Sequence, residues 1–438
     1  MQETHINRKI YSSKIEASIG FSRKWNAKDA GIEVAKTAIK KLKQPPSFIM
    51  VFSTMHYRTH GGFQNFLNGV WEVIPEGTPL IGGTVAGFIN NYGSFSRGAT
   101  ALAVSYPNID MAIGLGTQTK LSPKKAAKTC AYMIKKKLKN SKFKNKLLIN
   151  IISGPTVPFE KINVIKSKYL GSLAAHFGYK LFSAIGSGVG KEDDIIDELV
   201  TIMPDYNIIG GSTLDTGRMY HNYQFVDKEV LTNSIVALGC CTDSSVFIRS
   251  GLGLHETEKT FNITKTISNG RIITKIDDKP AKEAFLNSIG IIENQFVELG
   301  PFYYRTSNYF PITFEEKPGY TSGVAGFFGD YIALGYKARG EKVRILSITG
   351  EEIVKLIDDT FQNFDKDDHT FAFITCSFIL PNTLGSKTNI IKNKLEEYVD
   401  NMPYLMVLTV NENAGTPKNP AFARVYSFNT MSLSNAFN

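Results

Sequence analysis

The pattern of hydrophobic and polar positions repeats a strand, a helix and a second strand three times along the chain. The first strand of each copy is a continuous apolar run, at Phe48 to Ser53, Leu147 to Ile152 and Phe371 to Cys376. Continuous runs of this kind are typical of parallel strands that are covered on both faces of a sheet. The pattern therefore predicts an α/β fold of two packed mixed-sheet domains built from repeated strand-helix-strand units.

The second strand of each copy breaks into small or polar residues at its end. These strands are predicted at Pro79 to Gly87, Asn207 to Asp215 and Tyr404 to Asn413. Amphipathic helices precede the first and third of them, near Phe63 to Val73 and Ile391 to Tyr398, and a longer helical stretch precedes the second. Because ligands bind where parallel strands end, we expect the three strand ends to converge on one small-molecule pocket.

Local patterns divide the chain near Gly251. Strand-rich sequence follows each of the first two copies, whereas a hairpin pattern follows Gly251, around the dipeptide Asn269-Gly270, which suits a tight hairpin turn. A chain of 438 residues is also too long for one ordinary core. The predicted parts are a lead-in over residues 1–29, a domain with two repeat units over 30–250, and a domain with the hairpin and the third unit over 251–438.

Composition narrows the class of protein. An apolar fraction of 42% with 21% charged residues is that of a globular protein. No segment approaches the ~20 unbroken apolar residues that cross a bilayer, and the N-terminus lacks the apolar core of a secretory signal. We therefore expect a cytoplasmic protein without a membrane partner. The four cysteines show no CxxC spacing and are expected to be free buried thiols: Cys130, Cys240, Cys241 and Cys376.

The net charge of +10 is concentrated in one segment. Between Lys120 and Lys146 there are eleven lysines and no acidic residue, and apolar residues recur among them at helical spacing. This pattern predicts an amphipathic helix with a lysine-rich outer face. The segment lacks arginine, and Tyr132 and Phe143 form no stacking pattern, so a nucleic-acid partner is not favoured. A patch for an acidic partner stays open as the alternative to a solvated face.

The order of several motifs resembles that of FIST domain proteins, over about residues 30 to 432 and across both the N-terminal and C-terminal FIST halves. The motifs are the GG-x-x-x-G turn at Gly82 to Gly87, the GG-x-x-x-D turn at Gly210 to Asp215, the hairpin segment over 263–285, the strand ending in Cys376-Ser377, the L-T-x-x-E at Leu408 to Glu412, and Asn429-Thr430.

The resemblance implies an intracellular sensory module that binds a small ligand, for which amino acids are suggested, and some members of the family are haem proteins that sense nitric oxide. One departure is that Phe378 and Ile379 stand where the family has an arginine soon after Cys376, which removes a partner for a ligand carboxylate. The predicted ligand-binding residues are Gly82, Gly83, Thr84, Gly87, Gly210, Gly211, Asp215, Cys376, Asn411, Glu412 and Asn429.

The paired glycines have two interpretations. They let the backbone approach a ligand closely, or they make tight turns where the strands end. The glycine-rich run from Gly186 to Gly190 is interpreted as a connection before an acidic helix, because it matches no nucleotide-binding motif.

The histidines bear on the haem alternative. No cofactor or metal is predicted, but His221 follows the second GG turn and is the preferred axial ligand if haem binds. The remaining histidines considered are expected to be structural or solvated: His56, His60, His176, His255 and His369.

We predict a sensory protein that is not an enzyme. The apolar strand around Cys376 supplies no local base, and Ser153 before Gly154-Pro155 is not a nucleophile elbow. Glu412, Asp215 and Asn429 would instead fix the polar groups of a small ligand. The signal would pass to a separate signalling protein such as a kinase. The alternatives are a haem-binding nitric-oxide sensor and a scaffold without a ligand.

Overall fold

A computed structural model of the protein describes residues 14–156, 181, 183–291, 309–362 and 364–434. His176 lies outside these residues. The described helices are α1 (Ala27–Ile39), α2 (Phe63–Trp71), α3 (Pro123–Leu138), α4 (Glu192–Ile202), α5 (Ala281–Ser288), α6 (Gly350–Phe361), α7 (Ile379–Leu384) and α8 (Asn389–Val399), with 3-10 turns at Met55–Arg58 and Gly385–Lys387.

Strands make up most of the remaining regular structure. Those before the predicted division are β1 (Glu16–Ser22), β2 (Phe48–Ser53), β3 (Leu80–Thr84), β4 (Gly87–Asn90), β5 (Gly93–Phe95), β6 (Ala99–Ser105), β7 (Ile109–Thr117), β8 (Asn145–Ser153), β9 (Asn207–Thr213), β10 (Gln224–Val226), β11 (Glu229–Leu231), β12 (Ser234–Thr242) and β13 (Val246–Leu252). Those after it are β14 (His255–Ile267), β15 (Ile272–Ile276), β16 (Lys279–Pro280), β17 (Ile312–Phe314), β18 (Lys317–Ser322), β19 (Val324–Phe328), β20 (Tyr331–Leu334), β21 (Lys342–Ser347), β22 (Ala372–Ser377), β23 (Tyr404–Thr409), β24 (Glu412–Gly415), β25 (Phe422–Arg424) and β26 (Ser427–Leu433).

Three six-stranded sheets share one plan. Their strand orders are β1-β6-β2-β3-β10-β11 in the first sheet, β7-β12-β8-β9-β24-β25 in the second and β13-β26-β22-β23-β4-β5 in the third. Each sheet has one parallel pair at its centre, namely β2 with β3, β8 with β9 and β22 with β23. These pairs are the three predicted repeats, and their first strands are almost fully buried, as the continuous apolar runs require. The mixed α/β class is confirmed.

The outer hairpins of these sheets are exchanged in a closed cycle. The hairpin β4–β5 follows the first repeat but pairs with β23 of the third sheet. The hairpin β10–β11 follows the second repeat and pairs with β3, and β24–β25 follows the third repeat and pairs with β9. Each hairpin thus covers the edge of a neighbouring parallel pair and satisfies its backbone hydrogen bonds.

The exchange corrects the predicted ends of the second strands. The sequence predicts one strand from Pro79 to Gly87 and another from Tyr404 to Asn413. In the structure, each of these segments is divided between two strands that belong to different sheets. In the first, β3 ends at Thr84 and β4 begins at Gly87; in the third, β23 ends at Thr409 and β24 begins at Glu412. The chain leaves its own sheet at that point because its next backbone partners belong to the neighbouring sheet.

A fourth sheet of eight strands contains β14 to β21. Its hairpin confirms the turn predicted at Asn269-Gly270, since Ile267 pairs with Ile272 and both turn residues have positive φ. Helix α5 begins directly after Pro280, which is its N-cap residue.

The predicted division near Gly251 falls inside a paired strand. Gly251 lies in β13, which pairs with β26, and the exchanged hairpins join segments from both sides of that position. How the chain divides into domains stays a prediction.

Two other predictions concern helices and thiols. The lysine-rich segment forms α3, which buries Cys130, Ile134 and Leu138, and all four cysteines are buried and free. Within the described ranges, every helix is too short or too polar to cross a membrane.

Candidate functional site

Three connections join the parallel pairs to the exchanged hairpins, and they differ in length. The first junction is Val85 and Ala86, and the third junction is Val410 and Asn411. The middle junction runs from Leu214 to Tyr223 and has ten residues where the others have two. The middle copy of the repeated unit therefore carries an insertion at the carboxyl end of its parallel strands, which is where ligands bind in α/β sheets.

The three junctions meet. Leu214 N donates to Thr84 O at 2.9 Å, Ser212 N donates to Asn411 O at 2.8 Å, and Ala86 N donates to Leu408 O at 3.0 Å. The three strand ends are thus in direct backbone contact, whereas one small-molecule pocket shared by all three ends stays a prediction.

The paired glycines at these ends allow neighbouring chains to pack closely. A Cβ on Gly82 would lie 1.8 Å from Val51 O, and one on Gly210 would lie 2.2 Å from Asn150 O. A Cβ on Gly83 would lie 2.5 Å from Thr213 Cγ2. Gly211 and Gly87 are similarly crowded, by the side chain of Thr409 and by Phe95 O. These glycines lie inside strands, not in turns, and the close approach is that of protein atoms. A ligand contact at any of them stays a prediction.

The third junction is filled by a buried carboxyl group. Glu412 is 1% exposed, and burial raises its pKa to about 8. Its Oε1 lies 2.7 Å from Thr409 Oγ1, which also lies 3.4 Å from Cys376 O. Thr409 Oγ1 donates to Glu412 Oε1, and the longer contact to Cys376 O is the second acceptor within its reach. The other oxygen of Glu412 accepts from Ser427 N at 3.3 Å.

The other polar residues predicted near Glu412 also bond within the protein. Asn411 Nδ2 donates to Glu192 Oε1 at 2.9 Å. Asn429 Nδ2 donates to Thr375 Oγ1 at 3.2 Å. Burial raises the pKa of the Cys376 thiol well above its usual value, so it is not a reactive thiolate. The polar side chains around the third junction therefore form a hydrogen-bonded network inside the protein.

The middle junction is a folded loop held by Asp215. The carboxylate of Asp215 accepts from Met219 N and Tyr220 N, each at 2.8 Å. Met219 has φ of 60°, a conformation that non-glycine residues seldom adopt. Thr84 holds the end of the loop, because its Oγ1 accepts from Tyr223 N at 3.0 Å. Asp215 and Thr84, both predicted to contact a ligand, brace this loop.

The loop forms one wall of a pocket of about 310 Å³, here called the middle pocket. The other walls come from the end of β8, from the segment before α4 and from the turn between β11 and β12. Its lining residues are Ser153, Thr156, Ile185, Gly186, Ser187, Tyr220, His221, Asn222, Tyr223, Thr232 and Asn233.

Asn222 fixes the floor of the middle pocket. This side chain is buried, and its Oδ1 accepts from Ser153 Oγ at 2.9 Å, Thr213 Oγ1 at 3.0 Å and Gln224 Nε2 at 3.0 Å. Its Nδ2 donates to Gly154 O at 3.1 Å. Three side-chain donors on one amide oxygen leave Asn222 a single orientation, so the floor is preorganised.

A buried lysine lies against the same wall. Lys120 is 0% exposed, and its Nζ donates to Gly154 O at 2.5 Å. Burial lowers its pKa to about 8, while Glu192 acts in the opposite sense. Asn233 Oδ1, at the mouth of the pocket, accepts from Lys120 N and Thr119 Oγ1, each at 2.9 Å.

Sequence reasoning missed most of this pocket. Of the described residues that line it, none is among the eleven predicted ligand-binding residues, although His221, the predicted haem ligand, is there. Ser187 belongs to the run interpreted as a connection, and Ser153 was considered only as a nucleophile. The signal that could have found the pocket is the insertion after Thr213, which the first and third copies lack.

The remaining histidines that the structure describes have protein contacts. Burial lowers the pKa of His56 to about 4, with His60 and Arg97 adding to the effect. His369 stacks on Phe364, and His255 Nδ1 lies 3.1 Å from Glu352 Oε1. Among the described residues, no cluster of three or more His, Cys, Asp or Glu side chains could hold a metal ion. Haem binding stays a prediction.

Comparison with known proteins identifies the family. No curated protein matches the chain. One similar solved structure is a cyanuric acid hydrolase from A. caulinodans, with 6% identity and a TM-score of 0.33, covering 96% of this chain and all of that one. At this TM-score the likeness says nothing about the activity of this chain. Residues 47–279, more than half of the chain, match the FIST N domain, which is a sensory domain. The chain therefore belongs to the FIST N domain family.

Proposed function

We propose that this protein senses a small, uncharged, polar metabolite that binds in the middle pocket. The observation that carries the proposal is the asymmetry of the three junctions. Two of them are closed by two residues each, and the one with a ten-residue insertion forms a pocket at the strand ends. A volume of about 310 Å³ is at the lower end of the range for ligand pockets, which favours a small ligand.

The lining chemistry supports an uncharged ligand. Hydroxyl, amide and imidazole groups converge on the pocket, from Ser153, Thr156, His221 and Asn233 among others. None of the described lining residues is Asp, Glu, Lys or Arg. A free amino acid would bring an ammonium and a carboxylate to a site whose described lining has no side chain of fixed opposite charge, and burying such charges unpaired is costly. Sugars, polyols, amides and nucleobases fit the available donors and acceptors better.

We propose binding and not catalysis. Ser153 Oγ donates to the amide oxygen of Asn222, which is not a general base, so the hydroxyl is not activated as a nucleophile. Four free buried cysteines are in keeping with a reducing compartment, and we place the protein in the cytoplasm.

A thermal-shift screen tests the proposal. A ligand that binds only the folded state raises the free energy of unfolding by RT ln(1 + [L]/Kd). A panel of sugars, polyols, primary amides and nucleobases should therefore include compounds that raise Tm. His221→Ala removes an exposed imidazole from the lining and should abolish the shift while changing the stability of the free protein by less than about 0.5 kcal/mol.

His255→Ala is the matched control, because His255 is also exposed but lies outside the middle pocket. It should keep the full shift. A panel without any effect on Tm, or a shift that survives His221→Ala, would contradict the proposal. If only amino acids raised Tm, the proposed class of ligand would be wrong, but the proposed binding site would stand.

Haem is the second candidate, and the exposed His221 in the pocket lining is the observation that favours it. Haem titration followed by absorbance separates the two candidates. A Soret band that His221→Ala removes would replace the metabolite by haem, whereas the metabolite proposal expects no such band.

A further inference from the structure

The outer face of α3 and the C-cap residue that follows it carry a row of side chains, here called the lysine ridge: Lys125, Lys128, Tyr132, Lys136 and the C-cap Lys139. Their spacing of three and four residues places them on one stripe of the helix. All five are exposed, and Tyr132, at the centre of the row, is 57% exposed. The opposite face of α3 is buried, so the ridge faces away from the protein.

The ridge is short of acidic partners. Lys128 pairs with Glu198 of α4 at 3.5 Å. Among the described residues, no carboxylate pairs with Lys125, Lys136 or Lys139. Like charges spaced along one helical stripe destabilise the helix slightly, and the protein retains them together with its excess of positive charge. The described carboxylates therefore leave the ridge with an uncompensated positive charge that a partner could complement.

We propose that the lysine ridge docks an acidic helix of a partner protein, with Tyr132 as the central contact. Carboxylates at positions i, i+3 and i+7 of such a helix would meet the lysines on either side of the tyrosine. Tyrosine is favoured at the energetic centre of interfaces, and the surrounding lysines would steer association and fix orientation.

Other polyanions fit this surface less well. Proteins that bind single-stranded nucleic acid combine basic grooves with several stacking aromatics, whereas the ridge is convex, has one tyrosine and lacks arginine. Peripheral membrane helices insert an apolar face, but the apolar face of α3 is already packed against its own sheet through Cys130 and Ile134.

The ridge is linked to the middle pocket by two sets of contacts. At the pocket mouth, Asn233 Oδ1 holds the backbone of Lys120, just before α3 begins. The segment that lines the pocket at Gly186 and Ser187 leads into α4, whose Ile202 O accepts from Lys135 Nζ of α3 at 3.0 Å. A sensory protein could use this surface as its output, but docking itself needs no ligand in the pocket.

Fluorescence anisotropy tests the docking surface in the ligand-free full chain. The probe is a labelled peptide of repeated Glu-Ala-Ala-Glu-Ala-Ala-Ala, which places its carboxylates on one helical stripe. Reversing the ridge with Lys125→Glu, Lys128→Glu, Lys136→Glu and Lys139→Glu should weaken binding about a hundredfold at low salt. Tyr132→Ala, which changes no charge, should weaken it about tenfold.

The control reverses four exposed lysines elsewhere, at Lys36, Lys41, Lys259 and Lys275, and so changes the net charge equally. This variant should bind the peptide within about threefold of the unaltered protein, because distant surface charges are screened. Equal weakening by both sets would overturn the proposal, and so would an unaltered affinity in Tyr132→Ala. Tighter binding to phosphatidylserine vesicles or to single-stranded RNA than to the peptide would overturn the partner class. The ridge variant should keep the ligand-induced rise in Tm that His221→Ala loses. Ligand binding in the middle pocket and docking on the lysine ridge are therefore tested independently of each other.

Discussion

The third junction and the middle junction begin from the same architecture and end in opposite states. Both follow the second strand of a parallel pair, and both lead to a hairpin that is exchanged into a neighbouring sheet. The third junction has two residues and is filled by Glu412, whereas the middle junction has ten and borders a pocket of about 310 Å³. The first junction, also two residues long, resembles the third.

This difference shows how one copy of a repeated unit can acquire a pocket while the other two copies keep short junctions. The close contacts through Gly82 and Gly210 belong to the shared architecture, and the loop from Leu214 to Tyr223 is added outside them. Residues of the shared architecture should therefore affect stability, and residues of the loop should affect the pocket.

The largest expected effect is on the shared architecture. Gly82→Ala would place a Cβ 1.8 Å from Val51 O, and strand backbone cannot yield as a side-chain tip can. We expect a loss of about 3 kcal/mol or more in the free energy of unfolding, measured in urea. Gly323→Ala is the control, because the nearest atom to its Cβ would be Tyr426 Oη at 3.6 Å. If Gly82→Ala were as stable as the control, the packing role would be wrong.

The pH dependence of stability sharpens the account of the third junction. With its pKa raised to about 8 from an ordinary 4.5, folded Glu412 keeps a proton that the unfolded chain releases. The stabilisation is therefore full below about pH 4.5 and is lost as the pH rises through about 8. Between pH 5 and 8, the unaltered protein should lose about 3 kcal/mol more than Glu412→Gln, which cannot ionise.

Urea unfolding at several pH values measures this difference. Glu258→Gln, at an exposed position, should follow the pH profile of the unaltered protein. Parallel profiles for Glu412→Gln and the unaltered protein would show that the third junction holds an ionised carboxylate.

A smaller effect on stability is expected in the middle junction. Asp215→Ala removes the acceptor of two backbone N–H groups and should cost about 1.5 kcal/mol in thermal or urea unfolding. The same change should weaken the ligand-induced rise in Tm, because the loop positions Tyr220 and His221 in the pocket lining. Asp359→Ala, on an exposed helical face, should change neither quantity. If Asp215→Ala kept the full ligand-induced rise in Tm, the loop would not take part in ligand binding.

Local sequence was enough to predict the parallel pairs. Strand β2 has the predicted bounds, because the apolar run from Phe48 to Phe52 is typical of a strand that is buried on both faces. The turn at Asn269-Gly270 was predictable for a similar reason, since positive φ restricts the choice of residues.

The exchange of hairpins has no local signature. Strand β4 begins at Gly87 and pairs with Leu408, more than 300 residues away, and nothing in either segment specifies that partner. The insertion after Thr213 is a local signal for the middle pocket, but its other walls have none, because Ser187 and Asn233 come from separate connections that only the folded chain brings together. The sequence predicts Glu412 and Asp215 as ligand contacts, but the intramolecular partners of these two side chains cannot be read from sequence.

The most direct test of the central claim is a crystal structure of the protein with the compound that raises Tm most. The account predicts electron density for the compound in the middle pocket, between His221 and Asn233, with the first and third junctions closed. Density for the compound beside Gly87 or Glu412, where those junctions are packed, would contradict it.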